Sequence, residues 1–172
     1  MGRTMITRAI IVAGGMGTRF LPSTMSVPKE MLHLIDRPVL HYLFDEAVES
    51  GVKEICFIVS PEKEKVIKEY FLNYDEYTHD FTLQLGSGRK NMISHENSTP
   101  HWNITFADTG QECETGSRIA RIKKYLGADE NFFLTYGDGV ANINIRDLFA
   151  YHQEKGKTVT VTGIKPRNPF GV

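Results

Sequence analysis

The residues best able to do chemistry fall in two clusters, each at the end of an apolar run. The first is Ala13-Gly14-Gly15-Met16-Gly17-Thr18-Arg19, directly after Ile10-Ile11-Val12. Glycines let the backbone approach a ligand closely and turn its N–H groups inward, and phosphate is the natural guest of such a nest. Arg19 adds a planar guanidinium that can hold two phosphate oxygens at once. No Gly-Lys-Ser/Thr closes the loop, so it is not a P-loop, and Phe20 stands where a dinucleotide fingerprint needs its third glycine. A tight turn without a ligand would also account for the glycines, and Arg19 tips the balance towards phosphate. Ten residues on comes Val27-Pro28-Lys29-Glu30-Met31. The Lys29 ammonium could neutralise phosphate charge, although alone it reads better as an ordinary exposed lysine.

The second cluster is Gly137-Asp138-Gly139, which follows the apolar segment Asn131–Tyr136. A carboxylate there is a hard oxygen ligand suited to Mg²⁺ carried in by a triphosphate. Asp-Gly turns are common without any metal, but a place at a sheet edge shared with a phosphate loop favours the metal role. The six histidines show no metal-ligand spacing. Lys63, Lys65 and Lys68 alternate with Glu62, Glu64 and Glu69 as a solvated helix face does. Tyr70, Phe71, Tyr74 and Tyr77 read as core packing rather than a stacking platform.

These clusters must be carried by elements that the rest of the sequence supplies. Ile10–Ala13 and Glu54–Val59 are short continuous apolar runs, as expected of strands buried on both faces. Pro38 to Ser50 has apolar residues at helical spacing, with Pro38 in the first turn and Gly51 as the C-terminal cap. Pro61 to Leu72 is a second helix with Ser60 as its N-cap. Further strands are expected at Phe81–Leu85, Trp102–Ala107, Asn131–Tyr136 and Lys157–Gly163. Helices are expected over Ser117–Tyr125 and, capped by Asn144, over Ile145–Lys155. Residues 86–101 are polar and rich in breakers, hence a long loop, and residues 1–7 a disordered lead. Strands alternating with helices predict an α/β, Rossmann-like, mostly parallel sheet flanked by helices, with ligands at the C-terminal strand ends.

Composition narrows the function. Twenty basic against 21 acidic residues give a net charge of -1, without the basic excess of a nucleic-acid binder. No apolar run approaches membrane-spanning length. Cys56 and Cys113 match no metal or redox spacing and fit a reducing compartment. The apolar stretch 9–13 is too short for a signal peptide. The reading is a cytoplasmic protein with small-molecule substrates.

The combination Gly-Gly-Met-Gly-Thr-Arg-Phe-Leu-Pro with Pro-Lys-Glu-Met resembles the signature of the sugar-1-phosphate nucleotidylyltransferases, in wording closest to their UTP–glucose-1-phosphate uridylyltransferase branch. Later segments resemble the glucose-1-phosphate cytidylyltransferase branch instead. These are Pro100-His101-Trp102-Asn103-Ile104-Thr105, Asp108-Thr109-Gly110, Thr115-Gly116-Ser117-Arg118, Thr135-Tyr136-Gly137-Asp138-Gly139-Val140 and Asn168-Pro169-Phe170-Gly171-Val172. Ser117 departs from that branch, which often has a second glycine there. The two resemblances together cover nearly all of the chain from residue 8.

The resemblance implies a nucleotide-diphospho-sugar transferase fold, over 8–172, that stops short of the family's C-terminal part. It implies that Ala13, Gly14, Gly15, Gly17, Thr18 and Arg19 hold the nucleotide phosphates, that Lys29 contacts the reacting phosphates with Arg19 beside it, and that Arg118 also binds phosphate. Gly110, Gln111, Thr115 and Gly116 fall in the base-binding segment, and Asp138 falls on Mg²⁺. The implied reaction joins a nucleoside triphosphate, CTP by the later segments, to a sugar-1-phosphate, with glucose-1-phosphate favoured. UTP or dTTP on the same scaffold is the first alternative, and a truncated or degenerate nucleotide-binding paralogue the second. The branch uses an extension like 86–101 at subunit contacts, which implies a homo-oligomer. In the family, the sugar pocket and a second metal carboxylate follow this segment, so the 172 residues alone are expected to bind nucleotide weakly and turn over little.

Overall fold

The computed structural model describes residues 7–13, 27–86, 91–95, 101–110, 113–127 and 131–165. They fall into two compact units, residues 1–141 and 142–172.

The first unit is built on a four-stranded parallel sheet. Its strands are β1 (Arg8–Ala13), β4 (Glu54–Val59), β7 (Asn103–Asp108) and β8 (Phe133–Tyr136), in the order β7-β4-β1-β8. Ala13 lies opposite Val59, and Val59 opposite Asp108. On the other side of β1, Val12 pairs with Tyr136. The carboxyl ends of all four strands therefore share one edge. Five of the six residues in each of β1 and β4 are buried, because these central strands are covered on both faces. Thr7 belongs to this ladder, its carbonyl accepting from the N–H groups of Lys53 and Glu54.

Period-two alternation assigns the two faces. Ile10, Val12, Cys56, Ile58 and Ala107 pack with Ile122, and with Ile119 and Leu126 at the margin. These last three come from helix α4 (Thr115–Arg121) and the turns after it. On the other face, Phe57 meets Phe71 and Phe106, while Phe44 meets Phe71 and stands edge-on to Trp102 at 4.3 Å between centroids. Phe44 belongs to α1 (Val39–Glu49) and Phe71 to α2 (Pro61–Leu72). The aromatic run in α2 is thus mainly packing, as its spacing predicts. The short helix α3 (Tyr74–Thr78) continues it.

The described residues of this unit also form two small antiparallel hairpins. One pairs β2 (His33–Leu34) with β3 (Arg37–Pro38) ahead of α1. Its turn places Ile35 at φ 64°. The other pairs β5 (Phe81–Gln84) with β6 (Asn91–Ser94). The long loop expected over 86–101 is therefore interrupted by a strand, since Asn91–Ser94 finds hydrogen-bond partners in its sequence neighbour. The helix expected over Ser117–Tyr125 starts at Thr115 and tightens into a 3-10 turn from Ile122.

In the second unit, α5 (Ile145–Lys155) is capped by Asn144, whose Oδ1 accepts from the N–H groups of Arg146 and Asp147. Gly156 ends it at φ 56°. The strand expected at Lys157–Gly163 is absent: 157–165 carry no ladder. Val159 and Val161 are 69% and 82% exposed. Their β-branched pattern suits a strand, but no described neighbour pairs with it, and a strand exists only through pairing. No helix among the described residues is long and apolar enough to cross a membrane.

Candidate active site

The chain order places the site. From β1 the strands run outward through β4 to β7, whereas β8 returns to the opposite side of β1. The switch point lies between β1 and β8, and in open parallel sheets the carboxyl ends of the strands at that point are where ligands bind. Ala13, fully buried, ends β1 at this point. Gly14, Gly15, Gly17, Thr18 and Arg19, expected to cradle phosphate, lie outside the described residues, as does Gln111.

Two turns meet at the switch point. Lys29–Met31 forms one turn of 3-10 helix, closed by Met31 N–H donating to the Pro28 carbonyl at 2.8 Å. Glu30 and Met31 are buried, which anchors the turn. On the other side, Gly137 N–H donates to the Val12 carbonyl at 2.8 Å, extending the β1–β8 ladder by one residue. Gly139 N–H then donates to the Tyr136 carbonyl and turns the chain. Lys29 and Asp138, 109 positions apart, face each other across this gap, with Nζ donating to Oδ2 at 2.6 Å. Their side chains keep 19% and 34% of their exposure, so the pair is neither sealed nor fully solvated.

Glycine at 137 has a steric reason. A β-carbon there would stand 2.8 Å from Glu30 Cγ and 3.3 Å from Ala13 Cβ. The structure makes Glu30 the buried post on which both turns rest, and no apolar periodicity could have announced a fully buried glutamate.

A second group of expected residues lies at the end of β7. Asp108 Oδ1 accepts from Gly110 N–H at 2.8 Å, and Gly110 adopts φ 84°. Arg118, 7% exposed, donates from Nε to the Cys113 carbonyl at 2.7 Å and from Nη1 to Thr109 Oγ1 at 3.2 Å. Arg121 donates from Nη1 to the Thr109 carbonyl at 2.6 Å. The two arginines, one helical turn apart on α4, both hold Thr109, and Arg118 also holds the Cys113 carbonyl. Arg118, expected on phosphate, here holds loop backbone and the Thr109 hydroxyl. Arg121 was not anticipated, although its spacing from Arg118 was visible. Thr115 and the exposed Gly116 occupy the first turn of α4, and no heavy atom stands within 4 Å of a β-carbon built on Gly116. The structure thus joins Lys29 to Asp138 directly and sets Gly110, Thr115, Gly116 and Arg118 in a separate group two strands away on the same sheet.

The donor set can be tested against a divalent cation. No group of three or more His, Cys, Asp or Glu among the described residues could enclose a metal. Asp138 alone suits Mg²⁺, which keeps most of its water and is usually bound through one or two carboxylates plus substrate phosphates.

A cavity of about 720 Å³ lies elsewhere, lined among others by Arg37, His41, Asp45, Tyr70, Tyr74 and Tyr77. His41 bonds through Nδ1 to the Tyr70 hydroxyl, and its Nε2 stands 3.4 Å from Asp45. Burial pushes the His41 pKa down and that of Tyr70 up to about 12. None of the expected site residues lines it.

Comparison with known proteins matches residues 8–172 to the nucleotidyl transferase family. A probable glucose-1-phosphate cytidylyltransferase of Bacillus subtilis is 40% identical over 164 residues, covering 95% of this chain and 63% of that protein. The glucose-1-phosphate cytidylyltransferase of Salmonella typhimurium is 37% identical with the same coverage. A UTP–glucose-1-phosphate uridylyltransferase of Staphylococcus saprophyticus is 34% identical, covering 90% of this chain and 53% of that protein. The chain therefore spans less than two thirds of the length of these relatives. Among solved structures, UDP-glucose pyrophosphorylase complexed with UDP-glucose superposes with a TM-score of 0.61 at 20% identity, over 88% of this chain and 55% of that one. UTP-bound UGPase from Acinetobacter baumannii gives 0.60 at 24%, over 88% and 54%. At these identities the likeness establishes the fold.

Proposed function

The chain belongs to the nucleotidyl transferase family, and from that premise we propose that it transfers a cytidylyl group from CTP to glucose-1-phosphate, giving CDP-glucose and pyrophosphate. The observation that carries this reading is the Lys29–Asp138 pair at the switch point. One cation for phosphate oxygens and one carboxylate for a phosphate-bound metal stand side by side where the fold receives ligands. The cytidylyltransferase names of two relatives support the base and the sugar.

In the proposed reaction an oxygen of the sugar phosphate attacks the α-phosphorus, and the bond from that phosphorus to the β-phosphate oxygen breaks as pyrophosphate leaves in line. A phosphate monoester has its second pKa near ~6, so the nucleophile is already dianionic at neutral pH and needs no base. The chain's task is then positioning and charge neutralisation. Lys29 bridges the attacking phosphate and the α-phosphate, holding together two anions that repel. Arg19 and the Gly14, Gly15, Gly17 and Thr18 backbone hold the remaining phosphates. Asp138 would hold Mg²⁺, which would supply charge neutralisation on the phosphate oxygens. Arg118 and Arg121 hold Thr109 and Cys113, in the segment with Gly110, Thr115 and Gly116, where the base is read.

UTP is the second reading, favoured by the uridylyltransferase relatives and by the first loop's wording. Pyrophosphate release with Mg²⁺, glucose-1-phosphate and each triphosphate in turn separates them. CTP should give the fastest release. Faster release with UTP or dTTP would overturn the base while keeping the class, and binding of Mg·CTP without release would leave a nucleotide-binding chain only.

Self-association belongs to the same proposal. Phe81, Leu83, Met92 and Ile93 of the β5–β6 hairpin are each at least 40% exposed. An isolated two-stranded hairpin is marginal in water, so a second copy of the chain is the partner proposed to cover it. Sedimentation should show an oligomer that Leu83→Glu with Met92→Glu, cross-strand neighbours on one face, dissociates; a monomer throughout would refute this.

A further inference from the structure

We propose that Lys29 competes with the metal for Asp138, so that metal and triphosphate bind strongly only as a pair. The proposal rests on the reading of Asp138 as the metal carboxylate and Lys29 as a phosphate ligand, and goes beyond it. Lys29 Nζ donates to Asp138 Oδ2 at 2.6 Å. A hard cation needs that oxygen free and must also approach an ammonium of its own sign. With both side chains partly withdrawn from water, the repulsion is less screened than it would be on an open surface. Free metal is therefore held off.

A triphosphate changes the balance by offering Lys29 another anion. The ammonium turns to phosphate, Oδ2 is released, and the metal meets a free carboxylate and phosphate oxygens together. The backbone need not move. Gly137 is tied to Val12 by a 2.8 Å hydrogen bond, and Glu30 is fully buried beneath both turns. Only the ends of two side chains exchange partners. Linkage makes the effect mutual: whatever factor the triphosphate adds to metal affinity, the metal adds to triphosphate affinity. The same arrangement keeps the site from filling with free cation or with metal-free nucleotide.

The test reads binding, not turnover. Mn²⁺ is titrated into the protein alone and followed by electron paramagnetic resonance, for wild type, Lys29→Met, Lys29→Arg and Asp138→Asn. Lys29→Met, which keeps length and removes charge, should bind Mn²⁺ about two- to fivefold more tightly than wild type, the factor expected for losing one partly exposed ion pair. Lys29→Arg should stay as weak as wild type, because its charge remains, and this also guards against a general effect of substitution at 29. Asp138→Asn should lose the site. Unchanged Mn²⁺ affinity in Lys29→Met, with the site still lost in Asp138→Asn, would overturn the competition and leave the metal reading intact. Wild-type affinity in Asp138→Asn would overturn the metal reading itself, and the competition with it.

Discussion

Gly137 rests on Glu30: a β-carbon added to the glycine would lie 2.8 Å from the glutamate's Cγ. Glu30 is fully buried and cannot swing into solvent, so the contact fixes how near the Asp138 turn comes to the Lys29 turn. The ion pair between those turns depends on this approach. Gly137→Ala should therefore cost about 1–3 kcal/mol by overpacking, read as a lower urea midpoint with an unchanged slope. A stability equal to wild type would mean that the two turns are not in tight contact.

Ile35 carries a different strain. It is β-branched, 92% exposed and held at φ 64° in the turn between β2 and β3. A β-branched residue pays sterically for this conformation and gains no burial in return. Ile35→Gly should remove the strain and raise stability by about 1 kcal/mol, seen as a higher unfolding midpoint. A loss of stability would show that the turn needs the isoleucine for a contact outside the described residues.

Much of this framework was legible from the chain. The runs at β1 and β4 are continuous and apolar, and α1, α2 and α5 carry helical spacing with proline, glycine or asparagine at their ends. Asn91–Ser94 was missed because it is four residues long and lies in a polar, breaker-rich stretch, where only pairing with β5 reveals it. Lys157–Gly163 failed for the complementary reason, a strand-like composition with no described partner. Asp138 stands out from its own surroundings, between two glycines after an apolar segment, whereas Lys29 gains a role only through the resemblance. Their meeting was not legible, because it depends on β8 lying beside β1 rather than at the far edge of the sheet.

His41 gives a pH dependence. It is 6% exposed, and burial lowers its pKa below the ordinary 6.5, with Asp45 opposing and Arg37 assisting. Between the unfolded value and the lower folded one, the unfolded chain binds the extra proton, so stability falls as pH drops through 6.5. Once pH is below the folded value, this loss is complete. Urea midpoints taken from pH 7.5 downward should show the decline, and His41→Gln should flatten it. An equally steep decline in the variant would assign it to other groups.

The central claim is that the Lys29–Asp138 site receives a metal–triphosphate pair and prefers cytosine. Isothermal titration with CTP, UTP, dTTP and ATP, each with and without Mg²⁺, tests it most directly. The account predicts the tightest binding for CTP with Mg²⁺, weakening at least about tenfold when the metal is withheld or Asp138 becomes Asn, the size of one charge-assisted contact. Binding of CTP that is indifferent both to Mg²⁺ and to Asp138→Asn would contradict it.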